Sequence, residues 1–296
     1  MEFRQLRYFI AVVESGSLSA ASQRVHVAQP ALTRQIRLLE ENLATQLFNR
    51  HARGMRLTVA GQVLYEEALE LLDRREKLKA RLSAIGQGAI GKVSLGVTMM
   101  HLWLPQVAAL LGDYRKRFPR VTFEISPLLS GSQLEWLRQG RLDAGILYLG
   151  ETTNPGLGTQ LIHLDHLVLA VPEGSGWADN PPQCLAELEE EDFIRGFRSA
   201  SPIYYDYIQE HFQRLGFNPR VVQYGADNIT ILSMVAAGLG SAILPSDACH
   251  HPLPGIRVLT LPELDVCDMP LWFAWRKESD SPALHNLIEL VINWSK

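Results

Sequence analysis

SLSAASQRVHVAQPALTRQIRLLEENL, running from Ser17 to Leu43, decides the fold of this chain. It reads as two short helices joined by a tight turn. Leu18, Ala21 and Val25 recur at steps of three and four and share one face of the first helix, with Ser17 placed to cap it. The second helix begins near Gln29-Pro30, because proline is accepted only in a first turn. Leu32, Ile36, Leu39 and Leu43 form its apolar stripe. At ~100° per residue the opposite side carries Pro30, Thr33, Arg34 and Arg37. Arginine can donate two bonds to guanine, glutamine can bridge adenine, and threonine can reach a phosphate or a thymine methyl. Those residues alone fit either a recognition helix in a major groove or a helical hairpin with a solvated polar face.

Charge placement separates the two readings. Residues 1–60 hold eight arginines against four glutamates, within a chain of 296 residues and net charge −4, so the rest of the chain is strongly acidic. A basic head on an acidic body is the asymmetry expected when only the head meets phosphate. Upstream, residues 3–14 form an amphipathic helix with Leu6, Phe9, Ile10 and Val13 inward, ended by Gly16. Downstream, LFNRHARGMRLT (47–58) reads as strand, turn and return strand. Three helices and a basic hairpin make a winged helix-turn-helix, with Arg50, Arg53 and Arg56 placed for phosphates or a minor groove. The DNA-contacting set is expected to be Gln29, Pro30, Thr33, Arg34, Arg37, Arg50 and Arg53.

Thr58 caps a long helix reaching Ile85. Leu64, Ala68, Leu71, Arg75, Leu78, Leu82 and Ile85 alternate steps of four and three, a heptad seam with one polar intruder. Little apolar sequence nearby can cover it, so self-association as a dimer through this helix is expected. GQGAIGKV (86–93) contains glycines at 86, 88 and 91 in the GxGxxG spacing. The order is helix, glycines, strand, the reverse of a dinucleotide site, so the segment reads as a flexible hinge. GLGSAI (238–243) is rejected on the same ground.

After Lys92 strands and helices alternate, which predicts an α/β architecture with largely parallel strands. Strands are expected at 93–98, 121–127, 143–148, 166–171, 192–197, 219–224, 241–245, 256–260 and 269–275. Helices fit 101–117, 131–140, 203–215, 228–238 and 282–295. Breaks in rhythm near Leu161–His166 and Leu264–Met269 favour two lobes. The expected division is a winged helix-turn-helix over 1–58, a linker helix and hinge over 59–91, and a two-lobe α/β domain over 92–296, which the resemblance described next makes an effector-binding domain. Its first lobe takes about 92–162 and 268–296, and its second about 163–267.

The run AQPALTRQIRLLEENLATQLFNRHARGMRLTVAG (28–61) resembles the DNA-binding head of the LysR-type transcriptional regulators. LPQVAALLGDYRKRFPRV (104–121), LRQGRLDAGI (137–146) and MVAAGLGSAILP (234–245) are similar to that family's effector domain, in the expected order. The resemblance implies a winged helix-turn-helix, a dimerising linker helix and two Rossmann-like lobes of the periplasmic-binding-protein type 2 closing on a small molecule. It implies a homo-oligomer, usually a tetramer, bound to double-stranded promoter DNA. Two positions depart from the pattern. Ala28 stands where members usually have Ser or Thr, which removes a helix cap. Ala44 stands where they often have Gly, a position suited to a left-handed backbone.

In an open α/β sheet the ligand lies beyond the carboxyl ends of strands, where helix N-termini point inward. The effector residues expected there are Thr98, Ser130, Ser199, Ser201 and Asn228, with Met99 and Met100 as an apolar wall. Each serine can instead be a plain helix cap. Tyr204 and Tyr205 can border the cleft or belong to the core. Exposed amides and hydroxyls favour an anion, so a carboxylate-bearing organic effector is expected.

An enzyme is the first rival, but GxSxG, P-loop and HExxH motifs are missing from the sequence, so no catalytic residues are assigned. The HLDH at 163–166 and Cys249-His250-His251 lack a second pair at ligand spacing, so no metal or cofactor is expected. A transporter's solute-binding protein would need an export signal and has no use for an arginine-rich head. Three scattered cysteines, Cys184, Cys249 and Cys267, suggest no disulfide framework, and buried inert thiols are expected. No stretch approaches the ~18 apolar residues of a membrane span. A cytoplasmic protein is expected, without membrane contact.

Overall fold

The computed structural model describes residues 1–51, 54–149, 155–251 and 253–294. Contacts divide the chain into two compact units, Met1–Ser83 and Ala84–Lys296. The first unit runs α1 (Phe3–Ser15), α2 (Leu18–Arg24), α3 (Gln29–Asn42), β1 (Phe48–His51), β2 (Gly54–Leu57) and most of α4 (Val59–Gly86). Gly16 closes α1 in the left-handed conformation, φ +67°. The Ser17 hydroxyl accepts from the Ala20 amide and caps α2. Leu6, Phe9, Ala21, Leu32, Ile36 and Leu39 are buried together between the three helices.

Leu43 departs from the expected stripe. It is the C-cap of α3 and is 36% exposed. The first turns of α4 also depart from a simple intermolecular seam. Ala68 is fully buried in the head core, with Leu64 and Leu72 packed beside it. Thr58 caps α4 through the Gly61 amide and donates to the Gln46 carbonyl. A Cβ at Gly61 would collide with the Leu47 carbonyl oxygen, so glycine is what lets the helix pass the wing.

The second unit continues with β3 (Ile90–Val97), α5 (Met99–Leu102), α6 (Pro105–Arg117), β4 (Arg120–Pro127), α7 (Ser130–Arg138), β5 (Ala144–Tyr148) and β6 (Leu157–Asp165). It crosses to β7 (Leu167–Pro172), α8 (Gly176–Asp179), β8 (Asp192–Gly196), α9 (Pro202–Arg214), β9 (Arg220–Gly225), α10 (Asn228–Ala236), β10 (Ala242–Pro245), β11 (Ile256–Leu259) and α11 (Pro262–Asp265). It returns through β12 (Met269–Arg276) and α12 (Pro282–Trp294). Short 3-10 turns cover Leu185–Leu188 and Ser246–Cys249.

One five-stranded sheet, ordered β4-β3-β5-β12-β6, forms the first lobe. β3 pairs in parallel with β4 and β5, while β12 runs antiparallel to β5 and β6. In the second lobe β10-β7-β11 is antiparallel, β8-β9 is parallel, and a bridge from Phe193 to Ser241 joins the two pieces. The sheets are thus mixed rather than largely parallel. The two crossings, at 165–167 and 265–269, bring in β12 and β7 against the rhythm that βαβ units would give.

β5 is buried along its whole length, Ala-Gly-Ile-Leu-Tyr, as befits a central strand covered on both faces. The helix expected over 101–117 is two. Pro105 opens α6, and the residue before a proline is driven out of the helical region, which leaves Leu104 extended at ψ 128°. The glycine segment after α4 is anchored: Asn286 Nδ2 donates to the Gln87 carbonyl at 3.0 Å, and Gly88 abuts Pro282.

Candidate DNA interface and effector cleft

The first candidate surface is the outer side of α3. Leu32, Ile36 and Leu39 fix the helix to the head by burying one face. Gln29, Pro30, Arg34 and Arg37 are exposed on the other, with Thr33 half-buried beside them. Together these five line a shallow concavity. Thr33 Oγ1 donates to the Gln29 carbonyl at 2.9 Å, so its methyl and a lone pair are what remain for a partner. The ion pairs of this unit join Arg24 to Glu14, Arg75 to Glu76 and Lys77 to Asp73. Among the described residues that leaves Arg34 and Arg37 without an acidic partner, at no desolvation cost until phosphate or a base arrives.

Of the wing arginines, Arg50 lies on β1, Arg56 is exposed on β2, and Arg53 falls outside the described residues. The wing is set by residues the sequence did not single out. Glu40 Oε1 accepts from the Leu47 amide at 2.8 Å and the Phe48 amide at 3.3 Å, tying α3 to the start of β1. The Met55 amide donates to the Gly16 carbonyl, tying β2 to the turn between α1 and α2. Ala28 caps α3 without a side-chain bond, and Ala44 sits at φ +49°.

The second candidate site is a cavity of about 190 Å³ between the lobes of the second unit. Six of the seven expected effector residues line it: Thr98, Met99, Met100, Ser130, Ser201 and Asn228. Ser199 does not. The chain turns over Phe197–Ala200, with the Ala200 amide bonded to the Phe197 carbonyl, and that turn leaves Ser199 exposed outside the cavity. Tyr204 belongs to the lining, as do His101, Tyr148 and Asp227. Tyr148 is the last residue of β5, so the strand-end rule that selected Thr98 also points to it.

The lining hydroxyls have structural partners. Thr98 Oγ1 accepts from the His101 amide at 3.4 Å. Ser130 Oγ accepts from the Tyr148 amide at 3.1 Å. Ser201 Oγ accepts from the Gly131 amide at 3.3 Å, a bond made across the cleft from α9 to α7. Asp227 caps α10 through the Thr230 amide at 2.8 Å. Each serine hydroxyl thus keeps its own proton available to donate.

Three rings form a row at the cavity wall. His101 meets Tyr148 edge-on with centroids 4.9 Å apart, and Tyr148 stacks on Tyr204 at 5.4 Å. Burial, and secondarily the charge of His163, lowers the His101 pKa to about 3, so the imidazole is neutral. Burial likewise raises Tyr148 and Tyr204, which stay protonated. The Tyr204 hydroxyl faces Asn228 without closing a hydrogen bond of good geometry. Among the described residues, no lysine or arginine lines the cavity.

The cysteines are free, and burial pushes the Cys249 thiol up to about 12 and raises Cys267 as well, so neither is a thiolate at neutral pH. Among the described residues one group brings three donor atoms within 4.8 Å of one another: His163, Asp165 and Asp247. His166, the other histidine of the HLDH motif, stands 3.9 Å from Asp165 and 3.8 Å from Asp265. Among the described residues no helix is long and apolar enough to cross a membrane.

A winged head with an exposed arginine face, followed by a two-lobed domain around a small cavity, fits a DNA-binding regulator with an effector domain. Two family models match: the bacterial regulatory helix-turn-helix protein, lysR family, over residues 3–62, and the LysR substrate binding domain over residues 86–296. The HTH-type transcriptional regulator TdfR of Cupriavidus pinatubonensis is 31% identical across 98% of this chain and 97% of its own length. XapR of Escherichia coli, also an HTH-type transcriptional regulator, is 29% identical across 97% and 96%. Full-length CbnR complexed with its target DNA shares the fold at a TM-score of 0.84 and 29% identity, with 100% of both chains covered. Full-length BenM gives a TM-score of 0.57 at 26% identity, covering 99% of this chain and 96% of that one. The chain belongs to the LysR family of transcriptional regulators.

Proposed function

We propose that the regulator reads promoter DNA with Gln29, Pro30, Thr33, Arg34 and Arg37, supported from the wing by Arg50 and Arg53, and answers to a small carboxylate-bearing effector. The observation that carries the effector reading is the convergence of α7, α9 and α10 N-termini on one cavity whose lining has no cationic side chain. Amide groups and the helix dipoles are then the means of holding a negative group. Thr98, Ser130, Ser201 and Asn228 orient it, while Met99 and Met100 cover its apolar part. Ser199 has no part in this site.

The functional division follows the winged head over 1–58, the linker helix and hinge over 59–91, and the two-lobed effector domain over 92–296. Leu78 and Leu82 are 56% and 60% exposed on α4, which supports a dimer through this helix; the tetramer rests on the likeness to the family alone. Two heads then read two-fold-related half-sites. The effector shifts the lobe arrangement by binding one arrangement more tightly, and the 85–92 segment passes that shift to the paired heads. The protein acts in the cytoplasm, where promoter and metabolite meet. Thermal-shift screening of the full chain against small organic acids and their amides tests the effector reading. Acids should raise the midpoint and the matched amides should not; equal shifts from both would overturn the carboxylate assignment.

A further inference from the structure

Where β6 crosses to β7, a cluster of titratable groups spans the two lobes. His163 and Asp165 come from β6, at the edge of the first-lobe sheet, and Asp247 comes from the 3-10 turn after β10 in the second. Asp165 and Asp247 are buried, whereas the His163 side chain is 29% exposed and gives the cluster its route to water.

The two carboxylates are held differently. Asp165 Oδ1 accepts from the His166 amide at 2.7 Å and Ser246 Oγ at 2.6 Å. Its Oδ2 accepts from the Asp247 amide at 3.0 Å and, at a longer 3.5 Å, from the Tyr148 hydroxyl. With the Ser246 amide on the His166 carbonyl at 2.8 Å, these bonds fasten the 3-10 turn to the crossing strand. The Asp247 carboxylate faces His163 Nε2, 3.2 Å from Oδ2, on one side and the Asp165 carboxylate on the other, and Oδ2 closes no hydrogen bond of good geometry in this arrangement. A metal ion would need lone pairs on Asp165 that four donors already occupy, so the cluster is not read as a metal centre.

Of the other groups packed around it, none supplies a compensating charge to Asp247. His101 on α5, Tyr148 on β5, Tyr204 on α9 and Cys249 on the same turn are uncharged at neutral pH. His166 stands between two carboxylates, its Nδ1 3.9 Å from Asp165 Oδ1 and its Nε2 3.8 Å from Asp265, so whatever charge it carries is divided with the outer acid and does not reach Asp247. With a proton shared between His163 and Asp247, the cluster carries one formal negative charge. Without that proton it carries two, and buried unpaired charge is strongly disfavoured. Burial and the neighbouring Asp165 raise the Asp247 pKa to about 6, the direction this argument requires.

We propose that His163, Asp165 and Asp247 form a proton-sensitive latch between the lobes, fastened while His163 and Asp247 share a proton and slackened when it leaves to water. The Tyr148 bond and the Tyr204 stack place the latch one side chain behind the effector cavity, so lobe arrangement answers to pH as well as to effector. This inference rests on the two-lobe reading of the effector domain but not on any effector identity.

The test is hydrogen–deuterium exchange on the full chain at pH 5.5 and pH 8, corrected for intrinsic exchange rates. In the native protein, protection at the Ser246 and Asp247 amides should fall at least tenfold at the higher pH. Asp247→Asn, which has no carboxyl to ionise, should change less than twofold, and His163→Gln should lack the acid-side protection. Should Asp247→Asn fail to fold by circular dichroism, the histidine variant decides alone. Equal pH dependence in the native protein and a folded variant, or none in the native protein, would overturn the latch. So would one zinc ion per chain retained through gel filtration at pH 8 and lost in a folded variant, since the cluster would then be a metal site. Neither DNA nor effector enters the readout, so its failure is separable from failure of the regulator reading.

Discussion

Ala44→Gly should stabilise the DNA-binding head. Leu43 is the C-cap of α3, and the following Ala44 sits at φ +49°. The Ala44 amide bonds to the Glu41 carbonyl at 3.1 Å and the Thr45 amide to the Glu40 carbonyl at 3.1 Å. That is the Schellman pattern, whose left-handed residue is ordinarily glycine. A side chain in this conformation costs about 1–2 kcal/mol, whereas glycine costs about 0.5–1 kcal/mol in extra unfolded-state entropy. Ala44 is exposed, so its methyl group forfeits little packing. The net expectation is a gain of about 0.5–1 kcal/mol, which in a domain of this size raises the midpoint by roughly 2–8 °C. Gly16→Ala is the mirror experiment. Gly16 has φ +67° and open space where a Cβ would sit, so the change adds backbone strain without a clash and should destabilise by a similar amount. Calorimetry of the full chain, following the transition of the head, measures both. A head left unchanged or weakened by Ala44→Gly, or unaffected by Gly16→Ala, would refute the argument from backbone conformation.

Further outcomes follow from the same geometry. Arg34→Ala should weaken binding to a specific site by about 1–3 kcal/mol if the guanidinium reads a base; equal losses on specific and random duplexes in a competition assay would make it a phosphate contact. Leu78→Glu with Leu82→Glu should shift sedimentation toward monomer without loss of helicity, since both side chains are exposed within the chain and each loses about 1.5–3 kcal/mol of burial across a seam. Asp247 carries a raised pKa, so its contribution to stability is complete below the ordinary carboxyl value of 3.8 and is lost as pH rises through about 6. In urea unfolding across pH 4–7, the native protein should therefore decline relative to Asp247→Asn, by on the order of 2 kcal/mol; parallel curves would contradict that.

Local periodicity made the head legible. In α3 the spacing of Leu32, Ile36 and Leu39 fixes both the buried face and, by opposition, the arginine face, because each is a property of one helix. The same logic overreached at Leu43, where the helix has already ended. It overreached again at Leu64 and Ala68, which repeat in register with Leu78 and Leu82 but cover the head. β6 was hidden because it is an edge strand with mixed burial, paired with β12 across a register shift at Leu271/Trp272, so no clean alternation survives. For the cleft, the strand-end rule located the neighbourhood through Thr98, Ser130 and Asn228. It could not tell that the turn at Phe197–Ala200 leaves Ser199 outside. The His163–Asp247 contact joins residues far apart in the chain through tertiary structure alone, and no spacing announces it.

Selective DNA recognition by the head can be measured in a salt titration. The purified full chain would be bound to duplex from upstream of its own gene, with random duplex as competitor. The upstream site should be preferred by roughly 10³-fold or more, with affinity falling steeply as salt rises. Equal, weak binding to both duplexes at every salt concentration would contradict it.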